Sequence, residues 1–565
     1  MTVFFTTRLP GLTVLSLCLL PCLISQSMGQ ENVRDSNLKP KLVVQITVDQ
    51  LRGGVLESMA DRFQGGFAYL LKRGVIFHNA HYQHATTFTA VGHATLLTGG
   101  HGAQHGMVGN SWIDRSTQKE VYCVDDPTHR LLDGQLLKTT AATSPKNLLS
   151  TTTGDELVLA GGSSSRAFSV AGKDRAAIIS GGRLGRAFWY DSKSGRIVTS
   201  SFYSDNYADW EKDFISKNHA GNFQDRTWAL AASPTTYRFE DDRDSELGIG
   251  GLGKTFPHEL GPVAEASVPK YRSVFRFTPY LDELIADFSI TLLEKESLGN
   301  SVVGATDFLA IGFSSVDYVG HAWGPLSREY EDAVLHLDKT LDRLFKAIDT
   351  HIGLDNTLIV LSSDHGASPA PEAMAKLGFP TGRINTAELM ETINSGLRSQ
   401  FGLADDENVV MNFRNPGLYF NPAVIKAREL DPEKLATAAA GLAVTSPGVA
   451  HAFTRAQLSG ESRVENRLFA MAQRAFHPGR SGDIVIIQKP FWYLYKDRDK
   501  YSGMHGSPYN YDTHVPIVFA GSSIKPRDVR REVAPRDIAP TICQILGITA
   551  PTGSIGSVLT EVFDD

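Results

Sequence analysis

The sequence predicts an α/β fold in which a doubly wound, mostly parallel sheet is flanked by helices. Three apolar runs end on or near an aspartate: KLVVQITVDQ (41–50), DFLAIGFSSVD (307–317) and NTLIVLSSDHG (356–366). Such near-continuous runs are typical of strands that are buried on both faces of a parallel sheet. HVPIVFAG (514–521) repeats the pattern without the acid, and we assign it to the same sheet.

Helical patterns lie between these runs. Within residues 328–350, one stripe carries the apolar residues Val334, Leu337, Leu341, Leu344, Phe345 and Ile348. Alternation of strands and helices favours a single α/β domain over residues 41–548. Two stretches, at about 180–280 and 380–500, break the alternation. We predict that they are long insertions that form a cap.

The composition indicates a folded globular protein, since 42% of the 565 residues are hydrophobic and 21% are charged. A formal net charge of −7 and the absence of a long basic run give no indication of a nucleic-acid partner.

Residues 1–29 are predicted to be a signal peptide. An apolar run follows Arg8 and ends before the small residues Ser27 and Gly29. The run is short for a bilayer span, so we expect removal, no transmembrane span after cleavage, and an exported protein, periplasmic or extracellular. After cleavage, Cys123 and Cys543 would be the remaining cysteines, either joined in one disulfide or present as two free thiols.

The aspartates at the predicted strand ends suggest a metal site. Ligands of open parallel sheets bind beyond the carboxyl ends of the strands, where Asp49, Asp317 and Asp364 stand. One aspartate at a strand end is more often a cap. Capping is a poorer explanation for three of them, two with nearby histidines, His321 and His365. Carboxylates and imidazoles without thiolates favour an open, catalytic zinc site.

A glycine-rich segment, GIGGLGKT (248–255), matches both the phosphate-loop and the dinucleotide patterns. Those motifs require a buried strand before them and a helix after them. Here an acidic segment precedes the glycines and Pro257 follows, so we interpret the segment as a flexible loop.

Seven motifs together resemble the alkaline phosphatase superfamily: VDQLR, TFTAVGHATLLTG, HGMVGN, GKDRAAI, DYVGH, SSDHG and MHGSPYNYDTHVPI. The resemblance runs from about residue 41 to about residue 547. Within this superfamily, the chain resembles more specifically the exported bacterial branch, whose members have a threonine nucleophile and a Lys-x-Arg clamp. The chain lacks the Cys-x-Pro-x-Arg or Ser-x-Pro-x-Arg signature of sulfatases near Thr89.

The resemblance implies two zinc ions. One would be held by Asp317, His321 and His505. The other would be held by Asp49, Asp364 and His365, with the Thr89 oxygen completing the shell. His514 is the alternative to His505, and is less favoured because it begins the next strand. Asp512 is expected to orient a ligand or cap a turn. Whether a structural calcium or magnesium is also present stays open.

The resemblance also implies the catalytic residues. Thr89 would be the nucleophile, at the N-terminus of a helix, and Asn110 would donate to a phosphoryl oxygen. Lys173 and Arg175, two residues apart, would leave the same face of an extended segment and hold the phosphoryl group. Four further residues of this stretch are interpreted as structural: Thr86, Thr87, Thr95 and His93.

The expected activity is that of a broadly specific alkaline phosphatase that hydrolyses small-molecule phosphate monoesters through a phospho-threonine intermediate. Its rate is expected to rise toward alkaline pH. The main alternative is a phosphodiesterase or nucleotide pyrophosphatase on the same scaffold, which would not need the Lys-x-Arg clamp. A phosphomutase or phosphonate hydrolase, and a non-catalytic zinc-binding envelope protein, are weaker alternatives.

Overall fold

An eleven-stranded sheet forms the centre of this computed structural model, which describes Met1 and residues 39–132, 141–261, 268–301, 303–460 and 466–563. Apart from Met1, the predicted signal peptide lies outside the described residues. The strands of the structure are β1 (Leu42–Val48), β2 (Val75–His81), β3 (Ser111–Ile113), β4 (Glu120–Tyr122), β5 (Asp125–Leu132), β6 (Ala141–Thr143), β7 (Ala167–Ala171), β8 (Arg186–Asp191), β9 (Arg196–Ser200), β10 (Thr227–Trp228), β11 (His258–Glu259), β12 (Asp307–Phe313), β13 (Thr357–Ser362), β14 (Ser368–Pro369), β15 (Val410–Arg414), β16 (Gly417–Phe420), β17 (Val449–Thr454), β18 (Ile484–Gln488), β19 (Gly503–Met504), β20 (His514–Gly521) and β21 (Arg527–Val529).

Five neighbouring strands in the middle of the sheet are parallel, in the order β13, β1, β12, β7 and β8. Every residue of β1, β12 and β13 is buried, because helices cover both faces of the sheet. Strands β20, β2 and β21 extend one edge, and β9, β5 and β6 extend the other. The predicted class, an α/β fold with a mostly parallel sheet, is confirmed.

Strand β20 differs from the prediction in its direction. It is antiparallel to both neighbours, β13 and β2. A parallel strand needs a crossover connection that returns the chain to the opposite edge of the sheet. The short segment between β19 and β20 provides none, so the chain re-enters the sheet from the edge where the parallel strands end. An apolar run alone does not encode strand direction.

Helices form a layer on each face of the sheet. They are α1 (Val55–Ser58), α2 (Gly66–Arg73), α3 (Thr89–Thr98), α4 (Gly102–His105), α5 (Thr153–Gly161), α6 (Asp174–Gly181), α7 (Asp209–Lys217), α8 (Val268–Val274), α9 (Tyr280–Lys295), α10 (Ser315–Trp323), α11 (Arg328–His351), α12 (Pro371–Lys376), α13 (Thr386–Phe401), α14 (Pro422–Ala427), α15 (Pro432–Ala443), α16 (Arg455–Ser459), α17 (Arg467–Ala475), α18 (Asn510–Thr513) and α19 (Ile538–Leu546). Helices α2, α9 and α11 share a hydrophobic cluster with one face of β1, and α3, α5 and α19 pack on the other face. The six stripe residues predicted for α11 are all buried.

The two stretches predicted as insertions have different structures. Strands β8 and β9, inside the first stretch, continue the central sheet, so that stretch is not wholly an insertion. The second stretch contains a four-stranded antiparallel sheet, in the order β15, β16, β18 and β17, with its own hydrophobic cluster. The domain limits and the cap role stay predictions. Residues 248–255 hold only a 3₁₀ turn, Ile249–Gly251.

Both remaining cysteines, Cys123 and Cys543, are free and buried. In the part of the chain that the structure describes, no helix combines the length and the apolar character needed to cross a membrane.

Candidate active site

The three candidate aspartate ligands follow three neighbouring strands of the central sheet. Asp49 directly follows β1, and Asp364 follows β13 after one serine. Because β1 lies between β12 and β13, the carboxyl ends of these strands meet at one edge of the sheet. Asp317 differs from the prediction, since it lies in the first turn of α10 rather than at the end of β12. The structure nevertheless brings the three carboxylates together.

Three histidines surround the Asp317 carboxylate. Helix α10 places His321 one turn after Asp317, and its Nε2 lies 3.4 Å from Asp317 Oδ1. His505 Nε2 lies 3.8 Å from the same oxygen, and His365 Nε2 lies 3.9 Å from it. The rings of His365 and His505 stack, with their centroids 3.5 Å apart. Three imidazole nitrogens therefore converge on one carboxylate oxygen.

The other ring nitrogen of each histidine contacts a backbone carbonyl oxygen. The Nδ1 atoms of His321, His505 and His365 lie 2.7, 2.7 and 3.0 Å from the oxygens of Gly503, Thr87 and Gly366. A carbonyl oxygen only accepts hydrogen bonds, so in a neutral ring Nδ1 carries the proton and Nε2 presents its lone pair. Histidines that bind a metal are usually held in this way.

A second group contains Asp49, His93 and Asp364, whose ligand atoms lie within 4.8 Å of one another. His365 stands between the two groups, because its Nε2 is 3.2 Å from Asp364 Oδ2. By distance alone it also groups with Asp317 and His505, whereas the sequence prediction places it with Asp49 and Asp364.

Unpartnered atoms in these groups fit a bound cation. Among the described residues, Asp364 Oδ2 and His365 Nε2 are buried and have no hydrogen-bond partner apart from their contact of 3.2 Å with each other. A buried polar group without a partner carries a large desolvation cost, which a metal ion would offset. The donors are carboxylates and imidazoles, which suit zinc.

Burial and neighbouring charges set the protonation states. Burial lowers the pKa of His505 well below its usual range, and His365 and His321 act in the same direction. Burial opposes ionisation of Asp49, but Lys173 and His93 outweigh it and lower its pKa to about 2. Neutral imidazole and ionised carboxylate are the forms that bind metals. The shifts of His505 and Asp49 therefore favour metal binding, whereas at His365 the neighbouring Asp364 outweighs burial and raises the pKa.

Thr89 is the first residue of α3, with Phe88 as its N-cap. Its hydroxyl therefore lies at the positive end of the helix macrodipole, which favours a developing negative charge. Asn110 Oδ1 accepts a hydrogen bond of 3.0 Å from the backbone N–H of Ala90. Asn110 is thereby held beside the first turn of α3. Within the described chain, no hydrogen bond of the protein uses its amide nitrogen, which can donate to a ligand.

Lys173 and Arg175 both reach this site, although the segment is not extended as predicted. Lys173 is the N-cap of α6, and Arg175 lies in the first turn of that helix. Lys173 is only 3% exposed, and its Nζ lies 2.6 Å from Asp317 Oδ2 and 3.0 Å from Asp49 Oδ2. Arg175 Nη2 donates to Thr89 Oγ1 at 3.4 Å. The burial of Lys173 excludes a surface ion pair.

Sequence reasoning missed Gln50 and undervalued Thr87. The backbone N–H of Gln50 donates to Asp364 Oδ1, and its side-chain amide donates to Asp317 Oδ1, both at 3.0 Å. Gln50 has a φ of 65°, uncommon for a residue other than glycine. Thr87 accepts from the Gly506 N–H at 3.0 Å, besides its carbonyl contact with His505. Only the position of Gln50 beside Asp49 could have suggested its role.

The alternative ligand His514 lies away from the other candidates. Its ring stacks on His81, and its Nε2 lies 2.8 Å from the oxygen of His78. Asp512 has an orienting role: its Oδ2 accepts from the Ser507 N–H at 2.8 Å, and its backbone oxygen accepts from Gly366 at 2.7 Å. Asp512 thus joins the segment that carries His505 to the segment that carries His365.

Comparisons with known proteins agree with this geometry. The family model of type I phosphodiesterases/nucleotide pyrophosphatases matches residues 43–508. Alkaline phosphatase PafA of Elizabethkingia meningoseptica is 32% identical over 93% of this chain and 94% of its own length. The chain belongs to the alkaline phosphatase superfamily. A relative described as a calcium-transporting ATPase, from Myroides odoratus, is 33% identical over 93% of this chain and 95% of its own length.

The fold of this superfamily member also matches a solved structure. The crystal structure of wild-type PafA superposes with a TM-score of 0.85 at 31% identity, covering 93% of this chain and 99% of that one. A further PafA structure carries substitutions at a threonine, an asparagine, a lysine and an arginine. The chain is a phosphatase of this superfamily, with two groups of candidate metal-binding residues at the edge of its sheet.

Proposed function

We propose that the protein is a zinc-dependent phosphate monoester hydrolase that acts through a phospho-threonine intermediate. The observation that carries the proposal is the position of Lys173 and Arg175. Lys173 Nζ contacts a carboxylate of each candidate metal group, and Arg175 Nη2 contacts Thr89 Oγ1. The four residue types that are substituted in the PafA variant, threonine, asparagine, lysine and arginine, are those of the residues proposed here, Thr89, Asn110, Lys173 and Arg175.

Asp317, His321 and His505 would hold one zinc ion, and Asp49, Asp364 and His365 the other, with Thr89 Oγ1 beside the second. When bound, the ions would supply positive charge to the attacking and leaving oxygens of an in-line displacement. The unpartnered atoms of Asp364 and His365 support this assignment. The identity and number of the ions belong to the proposal.

The residues of the chain position the reaction. The Thr89 hydroxyl gives up its proton to solvent and its Oγ1 attacks phosphorus. The bond from phosphorus to the leaving-group oxygen breaks, the phosphoryl group is transferred to Thr89, and the leaving group departs as an alkoxide that takes a proton from water. Arg175 and the N-terminal end of α3 stabilise negative charge on Thr89 Oγ1. Arg175, Lys173 and the Asn110 amide would bind the terminal phosphoryl oxygens. Water then cleaves the phospho-threonine bond and releases phosphate.

The clamp favours monoesters over diesters. A monoester dianion offers three terminal oxygens to these donors. A diester has one fewer anionic oxygen and an additional substituent near the clamp. The family model is nevertheless that of phosphodiesterases and nucleotide pyrophosphatases, which makes diester hydrolysis the second candidate function.

The test compares initial rates on p-nitrophenyl phosphate and bis-p-nitrophenyl phosphate in the presence of zinc. We expect a strong monoester preference for the wild type. Thr89→Ala should abolish turnover, and Thr89→Ser should retain part of it. The double change Lys173→Ala, Arg175→Ala should lower kcat/KM for the monoester by at least about 100-fold, and much less for the diester.

The chain contains a matched control, because the tripeptide Lys-Asp-Arg occurs again at 496–498. Lys496 and Arg498 are exposed. The double change Lys496→Ala, Arg498→Ala should leave both rates unchanged. A wild type that prefers the diester, or a 173/175 variant that behaves like the 496/498 variant, would contradict the monoesterase proposal.

A further inference from the structure

A fourth histidine, His93, lies against the candidate metal ligands. It sits in α3 one turn after Thr89 and is 1% exposed. Its Nε2 lies 3.0 Å from Asp49 Oδ1 and 3.9 Å from Asp364 Oδ2. The sequence gives no reason to distinguish it from the other histidines of its stretch, His84, His101 and His105.

The surroundings of His93 indicate a tautomer opposite to that of the candidate ligands. Its Nε2 faces two carboxylates, which accept hydrogen bonds when ionised, so Nε2 carries a proton. Its Nδ1 lies 3.4 Å from Ser180 Oγ, whose hydroxyl can donate to a neutral imidazole. His321, His365 and His505 instead present an Nε2 lone pair. His93 is therefore a hydrogen-bond donor to Asp49 rather than a metal ligand.

The contact fixes one particular oxygen of Asp49. Lys173 Nζ, at 3.0 Å, and Ser314 Oγ, at 2.9 Å, both contact Oδ2. Among the described side chains, His93 is the one whose hydrogen bond reaches Oδ1. Without His93, Oδ1 would have no hydrogen-bond partner among the described side chains, and the carboxylate would be held only through Oδ2. His93 thus determines how Asp49 presents Oδ1 to a metal ion.

The same helix is packed tightly against Asp364. A Cβ atom built on Gly92 would lie 2.1 Å from the backbone oxygen of Asp364. Helix α3 therefore carries Thr89 in its first turn, and in its second turn it contacts the Asp49 carboxylate through His93 and the backbone of Asp364 through Gly92. Thr89 and His93, four residues apart, share a face of the helix.

We infer that His93 is a positioning residue that orients Asp49 and couples the proposed second metal site to the helix presenting Thr89. The inference rests on the proposed zinc-dependent function. It assigns to His93 a role in metal affinity, in addition to any contribution to packing.

The experiment measures zinc affinity by competition with a chromophoric chelator, together with activity at low and high free zinc. His93→Leu removes the donor, and His93→Gln keeps an N–H near the position of Nε2. We expect His93→Leu to weaken one of the two zinc sites by about 10- to 100-fold. Its activity should recover in excess zinc. His93→Gln should bind zinc and turn over substrate close to the wild type.

His84→Leu is the matched control, since His84 is also fully buried in this stretch and contacts His101 instead of a carboxylate. Thermal unfolding of the three variants reports any general loss of folding. Unchanged zinc affinity in His93→Leu would show a merely structural role and overturn the inference. An equal loss of zinc affinity in His84→Leu would do the same. A loss in His93→Gln as large as in His93→Leu would make His93 a ligand and also overturn it. A wild type that binds no zinc would instead reject the proposed function itself.

Discussion

Lys173 Nζ lies 2.6 Å from Asp317 Oδ2, in a site where both side chains are buried. The same ammonium is 3.0 Å from Asp49, so one cation joins the two groups of candidate metal ligands. Burial opposes ionisation of Asp317, but Lys173 together with the three neighbouring histidines outweighs it and holds its pKa well below the usual range. Lys173 therefore neutralises carboxylates of both groups, in addition to the substrate contact proposed for it.

Lys173→Met is predicted to destabilise the metal-free protein more than the zinc-loaded protein. Removing one partner of a buried ion pair leaves an uncompensated charge, which costs about 3–5 kcal/mol. Bound zinc would offset part of that charge. Urea denaturation with chelator and with zinc measures the two values, and Lys496→Met, at an exposed position, serves as the control. An equal loss in the free energy of unfolding with chelator and with zinc would contradict this account.

Thr87→Val is predicted to lower the free energy of unfolding by about 1–3 kcal/mol. The hydroxyl donates to the Ser507 oxygen and accepts from the Gly506 N–H, both at 3.0 Å, and valine leaves these groups unpaired. Because these contacts hold the segment that carries His505, zinc affinity should fall as well. Thr86→Val is the control: its buried hydroxyl has no hydrogen-bond partner, so the change should be neutral or slightly stabilising. Similar results for both variants would contradict the prediction.

Gly92→Ala is predicted to lower both activity and stability. The new Cβ would lie 2.1 Å from the Asp364 oxygen, so α3 or Asp364 must move, at a cost of about 1–3 kcal/mol. Gly441→Ala, within α15, is the contrasting change, since nothing lies within 4 Å of its Cβ. That variant should gain up to about 1 kcal/mol, as expected for alanine in a helix. For each variant, denaturation measures the stability and kcat/KM measures the activity. A Gly92→Ala variant as active and as stable as the wild type would contradict the prediction.

Glu246→Gln is predicted to flatten the pH dependence of stability above about pH 5. Burial and the neighbouring Glu329 raise the pKa of Glu246 to about 8 from 4.5. The folded state therefore keeps a proton that the unfolded state has lost. The stabilisation that this proton gives the folded state is complete below the pKa of the unfolded state. It declines as the pH rises through about 8, by up to about 1.4 kcal/mol per pH unit. Denaturation at several pH values checks this, and parallel curves for wild type and variant would contradict it.

The residue types and spacings in the sequence predicted the central strands and α11, and the family resemblance implied the set of candidate site residues. Apolar runs identify buried strands because both faces of a parallel sheet are covered. The one-turn spacing of Asp317 and His321 already places them on one face if the segment is a helix. The direction of β20, and the continuation of the sheet through β8 and β9, could not be predicted, since strand pairing depends on contacts between distant segments.

The sequence by itself determined which residues are candidates for the chemistry: carboxylates near strand ends, histidines near those carboxylates in the sequence, and a threonine at a predicted helix start. Only the tertiary structure decided how those residues are held. His93 became a donor to Asp49 because its helix packs against Asp364, and Gln50 became a bridge because β1 lies between β12 and β13. A hydrogen bond acts over about 3 Å, whereas these partners are tens to hundreds of residues apart in the chain. Their contacts exist only once the sheet has assembled.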